Sequence, residues 1–95
     1  MKAADIPAGE GVTGEIEGKP VAVYNAGDYL VVMEDVCTHM GCQTAWNPDE
    51  NTWDCPCHGS RYFADGEVLR GPAPQRLAQL RFTVEDGDVI LAGEA

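Results

Sequence analysis

The chain has 95 residues, 16 of them acidic against 6 Lys and Arg, which gives a formal net charge of −10 with both histidines neutral. A chain this short holds one domain, and so acidic a balance argues against nucleic acid or an anionic membrane as partner, since both need a cationic face. Its hydrophobic fraction of 44% is that of a folding chain and excludes a disordered acidic tail.

In chain order, the opening Met1-Lys2-Ala3-Ala4-Asp5-Ile6-Pro7 has one positive charge and no apolar run of a secretory signal. No later stretch approaches the length of a membrane span, so the expectation is a cytoplasmic chain with no membrane insertion. Residues 11–17 alternate Val12, Gly14 and Ile16 with polar residues, as a strand with one wet face does. Val21-Ala22-Val23-Tyr24 and Tyr29-Leu30-Val31-Val32-Met33, separated by Asn25-Ala26-Gly27-Asp28, predict a β-hairpin. Thr52-Trp53-Asp54 and Glu67-Val68-Leu69 are short strand candidates, and Pro72-Ala73-Pro74 is a stiff loop. Leu80 to Val84, the turn Glu85-Asp86-Gly87-Asp88 and Val89-Ile90-Leu91 form a second hairpin. Trp46 and Trp53 are read as core, and no segment has helical periodicity.

The middle of the chain holds all four Cys and both His in two short clusters. These are Cys37-Thr38-His39-Met40-Gly41-Cys42 and, thirteen residues on, Cys55-Pro56-Cys57-His58-Gly59-Ser60. Three chemistries compete for them. Two disulfides would use the four Cys and leave unexplained why both histidines fall inside the clusters. A structural zinc takes four ligands and would leave two of the six residues idle. A [2Fe–2S] cluster in which two His replace two Cys on one iron takes one Cys and one His from each loop, and the remaining Cys of each loop can then pair.

These residues resemble the C-T-H-x-G-C and C-P-C-H-G-S boxes of Rieske iron–sulfur proteins. The likeness is strong over about residues 35–74 and only general in the flanking strands. It implies an all-β fold, a small antiparallel β-sandwich or barrel-like domain over residues 1–95, with a cluster-binding part at about 35–74 on a β base from 1–34 and 75–95. It also implies that Cys37 and Cys55 hold one iron through thiolates and that His39 and His58 hold the other through imidazoles. Cys42 and Cys57 would form a disulfide between the loops, worth roughly 3 kcal/mol for a loop of about 15 residues on the chain-entropy model. Ser60 and Tyr62 stand where high-potential members place hydroxyl donors to a bridging sulfide and to a Cys sulfur. Gly71-Pro72-Ala73-Pro74 resembles the loop that covers the cluster.

Two ferric ions, two sulfides and two thiolates sum to a neutral oxidised centre, so an electron enters more readily than it does with four thiolates. Rieske centres span about −150 to +300 mV against about −400 mV for plant-type ferredoxins, and the two hydroxyls point to the upper half of that range. The implied function is soluble one-electron transfer between protein redox partners, with one cluster per chain and no turnover except together with a partner enzyme. Trp46-Asn47, Thr52-Trp53-Asp54 and the run from Cys55 to Tyr62 look most like Rieske domains of flavin-dependent oxidoreductases. The alternatives are a ferredoxin component of a multicomponent oxygenase or nitrite reductase system and, in a different class, a zinc- or disulfide-stabilised binding domain. The acidic surface anticipates a partner with a basic docking patch.

Overall fold

The computed structural model describes residues 1–36, 42–57, 59–71 and 73–92. Strands β1 (Gly11–Ile16), β2 (Lys19–Asn25) and β3 (Leu30–Glu34) form an antiparallel sheet in that order. Strands β4 (Ala45–Asn47), β5 (Thr52–Asp54), β6 (Arg61–Phe63) and β7 (Val68–Arg70) form a second antiparallel sheet, and β8 (Phe82–Glu85) pairs with β9 (Asp88–Leu91). The one helical element among the described residues is a 3₁₀ turn at Ala3–Asp5. No helix among them is long and apolar enough to cross a membrane.

The first sheet is the middle layer. Val21, Ala22 and Val23 are all fully buried, because a strand covered on both faces reads as a continuous apolar run. Val21, Val23 and Val32 pack with Ile6, Ile16 and Val89. Ala22, Val31 and Met33, on the opposite face by strand alternation, pack with Trp53, Tyr62 and Leu77 of the layer that carries both Cys/His clusters. The free edge of β3 is closed by the segment around Gln79, with Glu34 N–H donating to the Ala78 carbonyl at 2.8 Å and Leu80 N–H to that of Val32 at 2.8 Å.

Both expected hairpins are present. Their strands run Lys19–Asn25 with Leu30–Glu34, and Phe82–Glu85 with Asp88–Leu91. In the second, Asp86 and Gly87 have φ of +52° and +80°, the left-handed pair that a two-residue turn between twisted strands requires. Strands β4 and β6 carry no alternation in the sequence and were not anticipated. At three residues each they are too short for a periodic signal, and they exist because β5 offers a ladder on both edges. Trp53 is fully buried and Trp46 partly so, with ring centroids 4.7 Å apart, and both serve the core.

The two sheets meet where β1 passes over these rings. A Cβ on Gly11 would lie 2.6 Å from Trp53 Cη2 and 2.8 Å from Trp46 Cδ2, so only glycine admits the approach. Gly11→Ala is therefore expected to cost about 1–3 kcal/mol through overpacking, read as a lower urea midpoint. Gly14→Ala is the control, because its added Cβ would meet only the flexible end of Met1, at 2.8 Å, which can swing aside.

Candidate metal centre

The second Cys/His cluster is the loop of the β5–β6 hairpin. Trp53 lies opposite Tyr62 and Asp54 opposite Arg61, so the next position of the ladder pairs Cys55 with Ser60. Cys55 N–H donates to the Ser60 carbonyl at 2.8 Å, and Gly59 N–H returns to the Cys55 carbonyl at 3.2 Å. Gly59 turns the chain at φ +78°, which a side chain would strain. The result is a four-residue loop that puts Cys55 and Ser60 inside, at 3% and 0% exposure, and leaves Pro56, Cys57 and Gly59 at the surface.

The first cluster lies between β3 and β4, and its base is closed by side chains. Asp35, buried at 2% exposure, accepts hydrogen bonds on one carboxylate oxygen from Thr44 N–H at 2.8 Å and Thr44 Oγ1 at 2.7 Å. Its own N–H donates to the Pro20 carbonyl at 3.0 Å, tying the loop base to the first sheet. Cys42 and Cys57 form a disulfide that joins the two loops. Cys55 stays outside that bond, yet its Sγ and those of Cys42 and Cys57 all lie within 4.8 Å of one another.

The third piece is the proline-rich loop. Ala73, 7% exposed, donates its N–H to Ser60 Oγ at 3.0 Å, while Gly71 and Pro74 are exposed. Tyr62, fully buried on β6, packs in the cluster of Trp53, Cys55, Ala73 and Leu77. Of the residues the sequence singles out, the structure brings Cys42, Cys55, Cys57, Ser60, Tyr62 and Ala73 into one region. Cys37, His39, His58 and Pro72 lie outside the described residues.

The chemistry of this region fits an iron–sulfur cluster. A buried thiol beside a disulfide is a soft sulfur donor of the kind that takes iron. The Ser60 hydroxyl accepts one bond, from the Ala73 N–H, which leaves its proton to donate elsewhere. Asp35 and Thr44 escaped sequence reasoning. Nothing distinguishes Asp35 among 16 acidic residues except its place two positions before Cys37, mirrored by Thr44 two positions after Cys42.

Comparison with known proteins agrees with this geometry. A family model of the Rieske [2Fe–2S] domain matches residues 1–81. The chain is 43% identical over 88 residues to the cytochrome b6-f complex iron–sulfur subunit 2 of Synechocystis, covering 88% of this chain and 49% of that one. It is 44% identical over 77 residues to the Rieske 2Fe–2S iron–sulfur protein YhfW of Bacillus subtilis, covering 80% of this chain and 15% of that one. The chain thus spans about half the length of the first of these relatives and much less of the second. The crystal structure of the plasma membrane Rieske protein PetC3 of Synechocystis superposes with a TM-score of 0.80 at 30% identity, covering 97% of this chain and 95% of that one.

An ion-pair network braces the outer face of the β5–β6 hairpin. Arg61 donates to Asp54 Oδ1 at 3.1 Å and to Glu50 Oε2 at 2.8 Å, while Thr52 Oγ1 and Asn47 Nδ2 donate to Asp54 at 2.8 and 3.0 Å. Partial burial works to raise the Asp54 pKa. The hydrogen bonds from Asn47, Thr52 and Arg61, together with the Arg61 charge, outweigh it and hold the carboxyl below its ordinary value of 3.8. The Asp54 bond in turn raises the pKa of Arg61. A carboxyl depressed in the folded state contributes stability that is fully present above its unfolded pKa and lost as pH falls through the folded one. Wild type is therefore expected to be more stable than Asp54→Asn at neutral pH, with a gap that stays constant down to the ordinary Asp range and shrinks below it. Urea unfolding at stepped pH measures this, and a gap that widened on acidification would contradict the assignment.

Proposed function

The chain belongs to the Rieske [2Fe–2S] domain family, and from that membership we propose that it is a one-electron carrier with no substrate turnover of its own, serving a partner enzyme. The observation that carries the reading is the Cys42–Cys57 disulfide lying against the buried Cys55 Sγ where the two Cys/His loops meet. In this reading the Cys37 and Cys55 thiolates hold one iron and the His39 and His58 imidazoles the other, with one cluster per chain. Bound there, the cluster supplies a one-electron couple at a potential above that of an all-cysteine ferredoxin.

The remaining residues shape the site. Burial of Cys55 and the cover of Ala73 keep water from the thiolate side, and the disulfide holds the two loops at a fixed spacing. Ser60 and Tyr62 donate hydrogen bonds to sulfur, which favour the more electron-rich reduced state and place the potential in the upper half of the family's range. The partner we infer is a protein carrying a basic patch, because a carrier of charge −10 associates by complementary charge. A flavin-dependent oxidoreductase is the leading candidate on the likeness of the Trp46 to Tyr62 segment.

Visible absorption and a reduced-state EPR signal of a Rieske centre are the expected result for the purified chain. A colourless, EPR-silent protein holding stoichiometric zinc would overturn the reading. Redox titration then tests the hydroxyls. Ser60→Ala and Tyr62→Phe are each expected to lower the midpoint potential by tens of mV, roughly what one hydrogen bond of about 0.5–1.5 kcal/mol supplies to a one-electron couple. An unchanged potential in both variants would remove the two hydroxyls from the mechanism.

A further inference from the structure

In Pro72-Ala73-Pro74 the two prolines have no N–H, so Ala73 carries the single amide donor of the triplet. The structure directs that donor to Ser60 Oγ at 3.0 Å, in a place where Ser60 is fully buried and Ala73 is 7% exposed. Water does not compete for either group. A hydroxyl offers two lone pairs and one proton around a tetrahedral oxygen. Once an amide occupies one lone pair, the proton cannot point at that amide and is confined to the remaining directions. Among the described residues, the Ala73 amide is the hydrogen-bond partner of Ser60 Oγ. The carbonyl of Ser60 is meanwhile bound by Cys55 N–H at 2.8 Å, so the residue that carries the hydroxyl is itself fixed to the ligand loop.

We propose that the Ala73 N–H is a positioning group for the site: it orients the Ser60 hydroxyl so that its proton is delivered to the cluster, and it thereby couples the seating of the proline loop to the midpoint potential. Pro74 serves this by restricting the backbone of Ala73, the residue before it. The inference rests on the reading of Ser60 as a donor to the cluster and adds the group that aims it. A loop that merely covered the site would need no N–H directed at that oxygen.

The decisive variant is an ester at residue 73, with lactic acid replacing Ala73, which deletes the one N–H and leaves the side chain. It is compared with Ala73→Gly, which keeps the N–H. In the cluster-loaded chain the ester is expected to weaken electron affinity several-fold to about tenfold, a tenfold change being about 59 mV for one electron. Ala73→Gly is expected to shift it far less. In a Ser60→Ala background the ester is expected to add nothing further. Equal shifts in both backgrounds would assign the effect to the loop as a whole and overturn the proposal. An unchanged potential in the ester, where Ser60→Ala does lower it, would overturn the proposal and leave the role of Ser60 intact. An unchanged potential in Ser60→Ala itself would overturn both. Hydrogen exchange of the Ala73 amide supplies an independent readout: exchange is expected to accelerate in Ser60→Ala, and an unchanged rate there would also overturn the proposal.

Discussion

The register of β5 against β6 is the constraint on which the site depends. With Trp53 opposite Tyr62, the large rings face the core and Asp54 and Arg61 face outward. A slip of one residue would drive the ion pair inward and the rings out, so the register is strongly specified by burial. The Trp53 indole N–H adds a second lock by donating to the Ala64 carbonyl at 3.0 Å, just past the end of β6. Once the strands are so fixed, the Cys55 and Ser60 backbones must meet, and the loop between them has only four residues in which to turn.

The three loops of the site are then anchored by three kinds of chemistry suited to their lengths. The short loop of the β5–β6 hairpin needs only backbone bonds between Cys55 and Ser60. The longer connection from β3 to β4 shows no ladder among its described residues, and there the Asp35 carboxylate accepts from both the N–H and the hydroxyl of Thr44. The loop around Ala73 returns through a single amide to Ser60, and the disulfide ties the first two loops to each other. A site held at its bases in this way is carried by rigid strands, which is what a preorganised centre requires.

Legibility in the sequence followed the same division. The outer hairpins announced themselves because β2, β3, β8 and β9 are long enough for alternation or for continuous apolar runs bounded by turn residues. Strands β4 and β6 were invisible, since three residues beside a Cys- and Gly-rich loop carry no period and form only when β5 presents its edges. The cluster boxes stood out because all four Cys and both His fall in two short segments that resemble the Rieske boxes. The contacts that aim and brace them were not. Asp35 resembles every other acid in the sequence, and the Ala73 amide is a backbone group that no residue code distinguishes. Tyr62 and Trp53 show why side-chain chemistry alone cannot separate site from core, since both are fully buried in the cluster that also holds Cys55.

Charge completes the picture. The cations of the chain are largely consumed within it: Lys2 pairs with Asp88, Lys19 with Glu34, Arg61 with Asp54 and Glu50, and Arg76 with Glu67. The remaining acidic residues give the body of the protein a negative field that reaches about a Debye length, some 8–10 Å, into solution at ordinary salt. Yet the exposed described residues of the three loops, Gln43, Pro56, Cys57, Gly59, Gly71, Pro74 and Gln75, carry no charge. The two properties answer different needs. A charged body steers a basic partner from a distance, whereas a contact face of uncharged loops avoids the desolvation cost that buried ions impose at close range. For the carrier role proposed above, separating steering from contact in this way would favour fast association without tight binding.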